Sequence, residues 1–463
     1  MSLDEDKDVQ YQTVSYVWGS ASASEVSFVT VDGSRIPITP NLKAFLHRIR
    51  DPKKTLTLWV DTICINQQDD KEKTQQVNMM HRIFRQCVRC LVWIGEIPLL
   101  PGETEEEASN AALGAFNAIR MWSDLEDEIE LPPMLATDEG QKSAGRALQK
   151  FMDAPWWSRI WTVQEVVAPR KTRVLWGPHT ISWALMQAAA QVVISKYNDQ
   201  WGLDWFKFFP SSHCDYFTAP VIGLGIAAEW KDEDPPPIEM LWRFRSRDAS
   251  DPRDKVFALF GLDRDDWSFL PTITSCTYYE LDVVELFKKV TIDMLIDAAD
   301  DGADRGLRCL IGLRGEKKKT QGLPSWALDW TIAEESLSQF WVHNYFLLEF
   351  TADQGLPMLD ADALVCPDDD SVIRLNGLYF DSVAVCSEII RHNQNMDDLT
   401  AMLLSLIPEY IRYCESLDEN GSGEDIKSID TWQAEFKTLM EMSFIGDEPH
   451  DPYWSKNLHH KDW

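Results

Sequence analysis

Glu165 stands in a setting that demands an explanation. It belongs to "SRIWTVQEV" (158–166), where a helical reading puts Trp161 and Glu165, four apart, on one face with Gln164 beside them. Trp156 and Trp157 lie just upstream, so that face is expected to pack deeply. Burying an unpaired carboxylate is costly. Glu165 must therefore pair with a cation such as Arg159 or serve a site. A second cluster sits in "LWVDTICINQ" (58–67), which opens like a buried strand and leaves it through Asp61, Thr62, Cys64, Asn66 and Gln67, with no Gly or Pro between. Short polar side chains after a strand bond loop backbone and ligand equally well, so either a site or caps for the next helix would use them.

The thiols point to less. A nucleophilic Cys64 would need a nearby base to lower its pKa, and no His is close in sequence. Cys87 and Cys90 form a single CxxC with His81 six residues before it. Structural zinc wants four ligands, and no second CxxC or HxxxH follows, so both are expected as core thiols and no metal is expected. In "DPRDKVFALFGL" (251–262) Asp251 reads as an N-cap, Pro252 as the first helical residue, and Arg253 and Asp254 as braces for the helix start.

The elements that must position these residues alternate along the first 180 positions. Strands are expected at 11–18, 56–61, 90–95 and 173–177, and helices at 41–50 (capped by Asn41), 71–87 and 156–167. Strands separated by helices imply a parallel sheet covered on both faces, with ligands outside the carboxyl ends of the strands. Gly19, Asp61–Gln67 and Gly95 fall at those ends. An acidic helical insertion is expected over about 97–150. Residues 181–330 read as mainly helical and 331–463 as mixed α+β, with short strands from 371, a helix near 397–415 and a loop at 417–428.

Composition bounds the rest. At 463 residues, two or three domains are the natural prior. Hydrophobic residues make up 44% and Trp numbers 20, which excludes disorder throughout. A net charge of −31 repels phosphate backbones and anionic lipid, so neither nucleic acid nor a membrane surface is an expected partner. The start "MSLDEDKDVQ" has no apolar h-region and no run approaches the roughly 18 apolar residues of a membrane span. Nine scattered cysteines suit a reducing compartment, so a cytoplasmic location is expected.

Five strings in order, "VSYVWG", "LWVDTICINQ" with "EKTQQVNMM", "CLVWIGE", "RIWTVQEV" and "DPRDKVFALFGL", together resemble the fungal heterokaryon-incompatibility (HET) domain, with spacing and order matching over about 10–180; the later "DPRDKVFALFGL" (251–262) and "LPSWALDW" (323–330) resemble the continuation usual in that family. The resemblance implies a role in non-self recognition and regulated cell death, switched on by a protein partner or self-association. It also implies a flavodoxin-like or Toll/interleukin-receptor (TIR)-like fold, since HET domains have been likened to TIR domains. In TIR enzymes a Glu in a W-x-x-x-E stretch cleaves NAD, and Trp161 to Glu165 has that form. A TIR-like NAD glycohydrolase is thus the alternative reading, with Glu165 and Asp61 as catalytic candidates. Ser15, Trp18, Gly19, Cys64, Asn66, Gln67, Trp161, Gln164 and Arg253 would be its nucleotide contacts, and NAD a substrate rather than a required cofactor. A regulatory or biosynthetic-cluster protein without killing activity is a third reading.

Overall fold

Residues 10–19, 27–123, 132–198, 211–230, 237–259, 262, 279–300, 320–332, 365–366 and 369–373 are described by the computed structural model. The chain divides into two compact units, Met1–Asn376 and Gly377–Trp463. The second unit lies outside the described residues, as do the helix expected near 397–415 and the loop at 417–428.

The β-branched and aromatic runs become strands of one five-stranded sheet. These are β1 (Gln12–Tyr16), β4 (Leu58–Trp59), β5 (Arg89–Gly95), β6 (Thr172–Trp176) and β7 (His179–Ser182), in spatial order β4-β1-β5-β6-β7. The first four are mutually parallel; β7 runs antiparallel to β6. The sheet is therefore mixed rather than purely parallel. A tight turn at Gly177, with φ +50°, returns the chain directly into β7 and leaves no room for a crossover helix. An antiparallel hairpin, β2 (Ser27–Val31) with β3 (Ser34–Ile38), lies between β1 and α1 (Pro40–Ile49). A further pair, β8 (Val365–Cys366) with β9 (Asp369–Ile373), is antiparallel too.

Alternation along the strands sorts their side chains onto two faces. Val14 and Tyr16 on β1, Leu91 and Trp93 on β5, and Leu175 on β6 form one layer with Leu42 and Phe45 of α1. The other face presents Thr13, Ser15, Cys90, Val92 and Val174, all fully buried. It is covered by α3 (Asp70–Gln86) and by α6 (Thr162–Val167). Phe116 of α4 (Glu105–Trp122) and Phe151 of α5 (Asp138–Met152) pack on Trp176. Cys87 and Cys90 are core thiols here, and the Thr13 hydroxyl points at the Cys87 sulfur. Beyond β7 the described chain is helical in α7 (Trp183–Asn198), α8 (Ser211–Trp230), α9 (Pro237–Phe244), α10 (Asp254–Phe257) and α11 (Val283–Asp300).

Three local expectations need correction. Thr39, not Asn41, caps α1: its side chain accepts from Leu42 N, while Pro40 takes the first helical position. Asn41 instead donates to Val17 O at 2.7 Å and accepts from Trp93 Nε1 at 2.8 Å, tying the exits of β1 and β5 together. The helix expected over 156–167 is regular only from Thr162, because Ile160 N and Ser158 O are taken by Asp248 in a short parallel bridge. α10 begins at Asp254 rather than Pro252, since Asp251 and Arg253 form a local turn in which Asp251 Oδ1 accepts from Arg253 N.

Candidate functional site

The four parallel strands all present their carboxyl ends at one edge. The chain leaves β1 to one side for β4 and then crosses to the other side for β5, so the order reverses at β1, where open α/β sheets build their crevice. The residues at and just beyond the end of β1 (Ser15, Tyr16, Trp18 and Gly19) lie at that point. Gly19, with φ +77°, supplies a left-handed exit that side chains disfavour.

Ser15 and Tyr16 are adjacent and point to opposite faces. On one face the Ser15 hydroxyl donates to Glu165 Oε2 and accepts from Trp156 Nε1 at 2.8 Å. Ser15 and Trp156 are 0% exposed and Glu165 only 4%. On the other face Tyr16 OH meets Thr62 Oγ1 at 2.6 Å. Two residues on, Trp18 Nε1 donates to Asp61 Oδ2 at 2.7 Å. Asp61 is the first residue of the one-turn helix α2 (Asp61–Cys64), and its Oδ1 also accepts from Thr62 N. Arg159 spans the two arrangements. Its guanidinium donates to Tyr16 O, and its charge acts on both Glu165 and Asp61.

Burial pushes the Glu165 carboxyl up to about 7, and the nearby Asp61 charge adds to the rise; Arg159 and the Ser15 hydroxyl oppose it. Asp61 is also raised by desolvation, held back by its bonds from Trp18 and Thr62 and by Arg159. A carboxyl with a value near neutrality can hold or release a proton under ordinary conditions, whereas an unperturbed one is simply a fixed charge. Strongly perturbed carboxyls at the mouth of an α/β sheet mark functional-site candidates.

The other expected site residues are distributed unevenly. Gln164 is buried beside Glu165 on α6. Trp161 precedes that helix and donates from Nε1 to Asp254 Oδ2 at 3.1 Å. Asn66 and Gln67 are exposed and make local bonds, Asn66 Oδ1 accepting from Gln68 N and Gln67 Nε2 reaching Asp61 O. Cys64 is exposed, and partial desolvation and Asp61 push its thiol upward, the wrong direction for a nucleophile. Arg253 is engaged elsewhere: it pairs with Asp251 at 2.7 Å, donates to the carbonyls of Tyr279 and Leu281, and stacks on the Tyr279 ring. Among the described residues no group of three or more His, Cys, Asp and Glu side chains is placed to hold a metal ion. No helix among them is long and apolar enough to cross a membrane.

Two further residues support the site: Arg247, which carries no local sequence signal, and Asp254, which the sequence marks only as a brace for its helix start. Arg247, 8% exposed, donates from Nη1 to Trp157 O, Arg159 O and Thr162 Oγ1. Asp254 receives Trp161 on one oxygen and Tyr279 OH, at 2.6 Å, on the other.

Fold and site together define an α/β domain with a buried and a half-buried carboxyl near the carboxyl edge of its sheet. Residues 11–165 match the family model described as heterokaryon incompatibility protein (HET). It is similar to "Heterokaryon incompatibility protein 6, OR allele" of Neurospora crassa, 24% identical over 379 residues, covering 69% of this chain and 53% of that protein. The matched region thus spans about half the length of that relative. No solved structure matches the chain.

Proposed function

We propose that the protein is an effector of fungal non-self recognition, in which activation of the HET domain by a partner or by self-association leads to growth arrest or regulated cell death. The similarity to an incompatibility protein supports the class. The observation that carries a working role for the site is the buried Glu165 carboxyl, held by Ser15 and electrostatically linked to Arg159 and Asp61 at the strand-order reversal. A buried carboxylate kept only as part of an ion pair would sit in a close salt bridge, which holds its value down. Glu165 instead relies on a hydroxyl donor and a more distant cation, and its carboxyl lies near 7.

The same observation favours a second, sharper reading: an NAD glycohydrolase on a flavodoxin-like or TIR-like sheet. The parallel strands follow the chain order second, first, third, fourth, which suits that fold. In this reading the ionised Glu165 stabilises positive charge developing on the ribose as the nicotinamide bond breaks, an interaction worth about 10²–10³ in rate. Trp18, 39% exposed beside Asp61, offers a ring for a planar base. The test is NAD loss measured on the purified protein with and without forced clustering. Loss that depends on clustering and disappears in Glu165→Gln supports the enzyme. No loss in either state, with cell killing retained, removes the enzyme and leaves an effector that works by assembly.

A further inference from the structure

The turn that brings Arg159 to the site is held from outside the segment matched by the HET family model. Residues 153–161 form turns and a bridge rather than a regular element, so their backbone groups need partners. Local turns supply some of them, Trp157 N donating to Ala154 O and Arg159 N to Trp156 O, and one downstream stretch supplies others. Arg247 Nη1 gathers Trp157 O at 2.8 Å, Arg159 O at 3.2 Å and Thr162 Oγ1 at 2.9 Å. Asp248 accepts from Ile160 N at 2.9 Å and donates to Ser158 O. Asp254 accepts from Trp161 Nε1, and Lys255 Nζ in turn binds the carbonyls of Arg245 and Arg247. These contacts bracket Arg159 on both sides, and α6 with Glu165 starts at its end.

We propose that the stretch 245–255 is the control element of the Glu165 site, with Arg247 and Asp254 as positioning residues that hold the Arg159 turn between the end of β1 and the start of α6. The inference rests on reading Ser15, Asp61, Arg159 and Glu165 as the working site. Arg247 suits the task because a planar guanidinium can serve several fixed acceptors at once, which a point-like ammonium on a flexible stem does not reproduce. Burial lowers its value only to about 10, so it remains a cation at neutral pH. Any event that moves this stretch moves Arg159, whose charge holds the Glu165 carboxyl down, without touching the carboxyl itself. A partner seated on the downstream helices would act in this way.

The experiment is a double-mutant cycle read on the full chain by infrared titration of the protonated Glu165 carboxyl, assigned as the band missing in Glu165→Gln. Arg159→Met alone should raise the Glu165 midpoint by about one unit, because an opposing positive charge is removed. In an Arg247→Lys background the same Arg159→Met change should no longer move it, since the Arg159 turn is no longer held. Equal shifts in both backgrounds would overturn the positioning role. Should Arg247→Lys fail to fold, Asp254→Ala cuts the second anchor at a half-buried position and carries the same two outcomes. The titration uses neither substrate nor cells, so its failure is separable from failure of the proposed function.

Discussion

The Ser15 hydroxyl donates to the Glu165 carboxyl across 150 residues of sequence, joining the first strand to the helix that ends the HET match. The serine has no spare proton, because its only one goes to Glu165, and it accepts from the indole of Trp156. The three side chains thus form a polar chain beside Val92 and Val174, which are in register with Ser15 on the same buried face. A single hydroxyl stabilises a carboxylate far less than water does, which is why burial wins and the carboxyl rises to about 7.

Glu165 should therefore leave a signature in stability against pH. Its folded value lies above the ordinary 4.5, so its contribution is fully present below about pH 4.5 and is lost as pH rises through about 7. Glu165→Gln keeps an acceptor for Ser15 and cannot ionise. Between pH 4.5 and 8 the wild type should lose about 3 kcal/mol relative to this variant, the product of the shift and the free energy per pH unit. Denaturant midpoints of both proteins at the two pH values check this. Parallel curves would mean that Glu165 titrates as an ordinary surface carboxylate.

Ser15→Ala should have two separable effects. Removing a donor to the charged form raises Glu165 further, so the protonated band persists to higher pH. The Trp156 indole N–H also loses its acceptor in a fully buried place, at a cost of about 1–3 kcal/mol. Infrared titration and thermal unfolding of the same sample read the two effects, and an unchanged band would show that Ser15 does not set the carboxyl.

Gly177 tests the hairpin that makes the sheet mixed. It adopts φ +50°, and an added Cβ would come within 2.9 Å of Ile97. Gly177→Ala should destabilise by about 1–3 kcal/mol through backbone strain and the clash together. Adding Ile97→Ala should recover only the clash, leaving about 1 kcal/mol of strain after the cost of Ile97→Ala alone is subtracted. Full recovery in chemical-denaturation curves would argue that the backbone conformation is not constrained.

Much of this architecture was legible because it rests on local periodicity. The apolar runs at 11–18, 56–61, 90–95 and 173–177 each yield a strand, and Val77, Met80, Ile83 and Phe84 line the buried stripe of α3. The hairpin β2–β3 was missed although its Asp32–Gly33 turn, at φ 49° and 81°, carries a recognisable signal. The run 156–167 looked helical from its Trp spacing, yet a backbone bridge to Asp248, far along the chain, fixes its first half otherwise. The site divides the same way. Asp61 and Glu165 stood out as carboxylates in unusual surroundings, whereas Arg247 binds carbonyl oxygens that no sequence pattern marks.

The most direct test of the account is expression of the wild type and Glu165→Gln at matched abundance in a fungal host, with forced clustering through a fused dimerising tag. Growth arrest and loss of viability are scored, and folding of both proteins is verified by thermal unfolding. Clustering of the wild type should stop growth, and the Glu165→Gln protein, folded and equally abundant, should be inert. Killing by Glu165→Gln equal to that of the wild type would contradict it.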